Sequence, residues 1–152
     1  MPLLDDVERW FVDARVERVQ RREHSWTFAF LGGGSRRANL DVEHAWRLIK
    51  DGGLVVTDRE DGATAGRDVP IDAEAIAASI LEVRRVVTAR VDSETADLSL
   101  SFEGGVRLEI LTISTLYGSW QLIGDGIEAA VQEGRLFDPA WFIKGSGEAT
   151  DA

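Results

Sequence analysis

Cysteine is absent from all 152 residues, lysine occurs twice (Lys50 and Lys144), methionine once and proline three times. Without cysteine there is no disulfide, no thiolate-bound zinc or iron–sulfur cluster and no thiol nucleophile. The two histidines, His24 and His44, stand in no metal-ligand spacing such as H-x-x-x-H. No run approaches the ~18 continuous apolar residues of a membrane helix. The opening MPLLDDVERW lacks the basic-then-apolar order of a signal peptide. Positive charge is also scarce: 17 Lys and Arg stand against 27 Asp and Glu, a net charge of −10. Such a chain suits neither the phosphate backbone of nucleic acid nor an anionic membrane. The expectation is a soluble, cytoplasmic protein with no nucleic-acid or membrane partner, no metal and no cofactor.

What the chain has instead is internal similarity. Trp46–Gly52 reads W-R-L-I-K-D-G and Trp120–Gly126 reads W-Q-L-I-G-D-G, an offset of 74. Upstream, Val19 matches Val91 and Phe30-x-Gly32-Gly33 matches Phe102-x-Gly104-Gly105, now at an offset of 72. A two-residue length change in the following strand would reconcile the two offsets. The same order of strand, turn and W-x-L-I-x-D-G in both halves predicts two pseudo-repeats, about 5–57 and 72–137, joined by an acidic loop, 58–70.

Local patterns fit that plan. Trp26, Phe28 and Phe30 alternate with small or polar residues, as do Leu98, Leu100 and Phe102, the period of a half-buried strand. Glycines then supply the turns, and Leu40–Val42 and Val106–Ile110 return. Arg15–Arg22 and Arg84–Asp92 read as the preceding strands. A helix is predicted over 5–13, with Asp5 as cap, and a second over 72–82, with Asp72 as cap and an Ile71–Ile76 staple. Ile76, Ile80 and Val83 continue the second helix's apolar stripe. Residues 127–133 have helical composition, but their counterpart 53–58 is β-branched, so strand is preferred. The fold class is α+β: two helix–strand–hairpin units forming mainly antiparallel sheet with two short helices. Residues 1–144 form one domain and 145–152 a disordered tail.

No catalytic constellation emerges. Gly32–Ser35 lacks the lysine and helix of a phosphate-binding loop and reads as a turn. No serine sits in G-x-S-x-G. Trp46 and Trp120 are either equivalent core anchors or exposed aromatic platforms. In the second case His44, Arg47 and Tyr117 join them as binding candidates. Charge is uneven: residues 92–103 carry Asp92, Glu94, Asp97 and Glu103 with no base, while 15–37 holds six Arg against two Glu. Asp92, Glu94 and Asp97 are therefore candidates for meeting a basic partner.

The string from Asp97, D-L-x-L-x-F-x-x-G-x-x-L-E-x-L, followed by Tyr117–Leu122, Y-G-S-W-Q-L, resembles a broad group of small, largely bacterial proteins of unknown function. The first half, with its aromatic strand, glycine turn and W-R-L, is similar to that group's N-terminal part. Gly118 stands where the group usually has an acid. The resemblance implies an α+β domain and brings no activity and no catalytic residue. The functional expectation is a non-enzymatic protein-binding domain, similar in character to the immunity proteins that neutralise bacterial toxins, with a basic protein as partner. The alternative is a small-molecule-binding or hydrolytic domain with a pocket between the repeats. Open sheet edges also allow a homodimer.

Overall fold

A computed structural model describes residues 2–139. The tail expected at 145–152 lies outside them. Helix α1, Pro2–Phe11, is followed by strands β1 (Arg15–Arg21), β2 (Trp26–Leu31), β3 (Arg37–Val42), β4 (Trp46–Lys50) and β5 (Gly53–Thr57). Helix α2, Ala73–Leu81, is followed by β6 (Val86–Val91), β7 (Leu98–Phe102), β8 (Val106–Ile110), β9 (Gly118–Gly124), β10 (Ile127–Gln132) and β11 (Arg135–Phe137). The α+β expectation with two short helices holds, and residues 127–132 are strand. β11 was not foreseen.

The strands form two sheets, ordered β1-β2-β3-β9-β10-β11 and β6-β7-β8-β4-β5, with every pairing between these strands antiparallel. Each half of the chain thus builds a three-stranded meander, then sends its W-x-L-I-x-D-G hairpin to the opposite sheet. Trp120 pairs with Val42 and Leu122 with Leu40 in the first sheet; Trp46 pairs with Ile110 and Leu48 with Leu108 in the second. The length differences between the halves fall in connections, contrary to the expected change within a strand. Phe30 pairs with Ala38 across a long turn, whereas Phe102 pairs with Val106 across a short one. The link from β8 to β9 is in turn longer than that from β3 to β4. Gly104 and Gly105 both hold left-handed backbone (φ 78° and 74°), which is what lets the short turn close.

The alternating residues of both sheets point inward and share one core. Phe28, Phe30, Leu40, Leu48, Leu100, Leu108 and Leu122 are fully buried within it. Trp46 ties the sheets together, edge-to-face with Trp26 (centroids 5.0 Å) and Phe28 (5.6 Å) of the facing sheet. Such aromatic pairs add about 1 kcal/mol beyond their burial. α1 packs on β6, β10 and β11, and α2 on β1 and β5, so each helix spans an edge of both sheets.

The helices correct two expectations. α1 starts at Pro2 rather than Asp5, because proline lacks only an N–H that the first turn leaves unpaired. Asp5 therefore sits inside the first turn, where a negative charge meets the helix dipole favourably. α2 ends at Leu81, and Val83 leaves the apolar stripe: it is left-handed (φ 60°) and 80% exposed. The buried face is Ala73, Ala77 and Leu81, flanked by Ile76 and Ile80. Asp72 does cap the helix, accepting the Ala75 N–H at 3.0 Å.

Candidate functional site

The proposed site residues divide sharply. Trp46 and Trp120 are 1% and 2% exposed, so neither indole is a platform; both are core anchors. Strand periodicity separates neighbours: Trp46 points inward and Arg47 outward from β4. His44 is half-buried beside them, and Tyr117 is 67% exposed on the β8–β9 link. The acids of the β6–β7 turn serve the chain itself. Asp92 accepts the N–H groups of Glu94 (2.8 Å) and Thr95 (3.0 Å), which hold its carboxyl below the usual range. Asp97 accepts the Thr112 N–H at 2.7 Å. Of the three, Glu94 alone presents its carboxylate without such a bond. The structure does not gather the predicted residues into one site.

The acidic loop is spent in the same way. Asp58 accepts the Ala45 and Trp46 N–H groups (2.8 and 3.2 Å), fixing the entry to β4. Asp61 accepts the Arg21 guanidinium (Nη2 at 2.8 Å) and the Ala73 N–H (2.9 Å), docking α2 onto β1. Asp72 accepts the same guanidinium at 3.0 Å. The Arg21 hydrogen bond, with that of Ala73, holds the Asp61 carboxyl below its ordinary value, and the pair raises Arg21. A carboxyl depressed in the folded state stabilises above its unfolded pKa, and that stability is lost as pH falls through the folded value. Asp61→Asn should therefore cost about 1 kcal/mol at neutral pH, after allowance for the exposure of Arg21. The gap from the unaltered chain should close below about pH 4 in urea melts at stepped pH. A gap that stays constant through acid would mean that the charge is not what matters.

One surface does gather groups left over from folding. On the outer face of the first sheet, Gln20, Thr27, Asp41, Gln121 and Ala130 stand in register across β1, β2, β3, β9 and β10. A groove of about 470 Å³ opens over the last four of these, rimmed by Arg22, Glu43 and Gln132. Thr27, 2% exposed, donates its hydroxyl to Asp41 Oδ1 at 2.6 Å and accepts Arg22 Nε at 3.1 Å. Gln121 Nε2 donates to Asp41 Oδ2 at 3.3 Å. Asp41 and Glu43 form no ion pair among the described residues. The groove straddles the β3–β9 seam, so both halves of the chain supply it. Sequence reading places Thr27, Asp41 and Glu43 at the polar positions of their strands, but which strands adjoin, and so the place of Gln121 beside Asp41, is not written in local periodicity.

The same place in the second sheet is filled differently. Glu109, opposite Ser99 and Arg47, accepts Arg47 Nε at 2.6 Å and Arg107 Nε at 3.0 Å. Two guanidiniums therefore bond directly to the acid here, whereas the Asp41 carboxylate of the first sheet has no direct ion pair among the described residues. Among the described residues no group of three or more His, Asp or Glu is placed to hold a metal ion, and no helix is long and apolar enough to cross a membrane. No family model matches the chain, nor does any curated protein or solved structure.

Proposed function

We propose that this chain is a non-enzymatic binding domain for a basic protein, and that the groove over Asp41 receives a lysine or arginine side chain of that partner. The observation that supports this is the Asp41 carboxylate, held by Thr27 and Gln121, with Glu43 lining the same groove; among the described residues neither acid is in an ion pair, and the Arg22 guanidinium at the rim is turned to the Thr27 hydroxyl. A carboxylate fixed in advance loses little freedom on pairing, and charge-assisted bonds are the stronger ones. The net charge of −10 adds long-range steering toward a cationic surface. Exposed Leu116 and Tyr117, on the link leading into Gly118 at the groove's rim, supply the apolar and aromatic area that interface centres use. In this reading the domain acts as an electrostatic decoy that covers a cationic cleft, the role of an immunity-type inhibitor of a bacterial toxin. A second reading, a small cationic molecule in the same groove, draws on its volume and its position between the two halves.

The test is retention of basic proteins from the host extract on the immobilised chain, with Asp41→Asn/Glu43→Gln as control. Both positions face solvent or a polar groove, so the fold is expected to survive, as circular dichroism would show. The unaltered chain should hold a basic protein at low salt and release it at high salt. The double variant should bind about tenfold more weakly, the loss of one charge-assisted pair. No partner at low salt, or equal retention by the variant, would count against the proposal.

A further inference from the structure

The outer face of the second sheet runs against the chain's overall charge. Arg90, Arg47 and Arg107 lie there with Glu109 as the one acid among the paired outward positions. Glu109 is the clamp: its side chain is 17% exposed, and each oxygen takes the Nε of one arginine. Both arginine side chains are 46% exposed, and among the described residues their Nη groups make no further hydrogen bond. One carboxylate cannot neutralise two guanidiniums, so the cluster keeps a positive charge with donors fixed in direction. Next to it a groove of about 450 Å³ is lined by Arg47, Arg107, Ser101, Ile49 and Leu54. Leu54 is 61% exposed, an apolar surface left open beside the two cations.

We propose that this groove binds a small amphiphilic oxyanion, a carboxylate or phosphate monoester whose apolar body lies on Ile49 and Leu54. The arginine Nη groups form the planar fork that such oxygens accept, and Glu109 holds the fork in place before the ligand arrives. Hydrophobic contact supplies what a bare ion lacks, as in most small-molecule sites. The site is on the sheet opposite the Asp41 groove and stands independently of it.

The experiment is an NMR titration of the full chain, following the Arg47 and Arg107 Nε–Hε signals and the Ile49 and Leu54 methyl groups. Octanoate and phenyl phosphate are the probes, so that the tighter of the two identifies the headgroup. Acetate and inorganic phosphate report the contribution of the apolar body. Saturable shifts at those four side chains are expected with octanoate or phenyl phosphate, and binding about tenfold weaker with acetate and inorganic phosphate. Arg107→Gln and Leu54→Ser should each weaken the better probe about tenfold while keeping the dispersed spectrum of the folded chain. The proposal fails if neither amphiphile gives a saturable shift by about 10 mM, or if both variants bind as the unaltered chain does.

Discussion

Trp120→Ala is expected to lower the unfolding free energy by about 4 kcal/mol, a large part of the whole for a domain of this size. The indole is 2% exposed, pairs with Val42 on one side and Val131 on the other, and donates its N–H to the Ala96 carbonyl at 2.9 Å. That bond fastens the β6–β7 turn of one sheet to a strand of the other. Truncation leaves a cavity and an unpaired buried carbonyl together. Trp46 holds the equivalent place in the second sheet, but among the described residues its indole N–H has no hydrogen-bond partner. The two tryptophans should therefore part company on substitution by phenylalanine. Trp120→Phe should cost about 1 kcal/mol more than Trp46→Phe, since only the first breaks a hydrogen bond. Urea unfolding of the three variants measures all of this, and equal costs for the two phenylalanine variants would contradict it.

Gly124→Ala is the second large effect, and its cause is different. An alanine Cβ there would fall inside van der Waals distance of the Arg37 carbonyl oxygen and the Ala38 backbone. Ala38 is the residue paired with Gly124, so the clash lies in the β3–β9 seam itself. Backbone cannot swing aside as a side chain can. The seam is also pinned nearby by Asp125, whose N–H donates to the Arg37 carbonyl (2.7 Å) and whose carboxylate accepts the Arg37 N–H (3.0 Å). Trp10 Nε1 donates to the Asp125 carbonyl at 3.0 Å. Forcing the strands apart should cost about 3 kcal/mol. Gly126→Ala, where only a left-handed φ of 77° opposes the substitution, should cost about 1 kcal/mol. Thermal melts of the pair compare the two; a harmless Gly124→Ala would mean that the seam is looser than drawn.

Much of the fold was legible because it rests on near-neighbour rules. The Asp72 cap and the alternation of Trp26–Phe30 and Leu98–Phe102 are local and read true. Comparing the halves also favoured strand for residues 127–133 over their helical composition, and Ile127–Gln132 is strand. The exchange of hairpins between sheets was not legible. Trp46–Lys50 would look the same whether it paired with β3 or, as it does, with β8. Val83 shows a related limit: its spacing fits a helix face, but the chain has already left the helix.

The site suffered more than the fold. Sequence reading favoured large aromatics and dense acids, yet the aromatics are core and most of the dense acids bind their own chain. Asp92, Asp97, Asp58 and Asp61 are spent on backbone N–H groups or on Arg21. The residues of the candidate groove are ordinary outward positions, Asp41 and Gln121, bonded to each other across the strands, that become a site only when β3 meets β9.

The most direct measurement of the binding surface is an amide NMR titration of the full chain with a short arginine-containing peptide, repeated on Asp41→Asn/Glu43→Gln. The expected result is saturable, salt-sensitive shifts centred on Thr27, Asp41, Gln121 and Ala130, lost in the double variant. Shifts centred instead on Glu94 or other surface acids, or shifts that persist in the double variant, would contradict it.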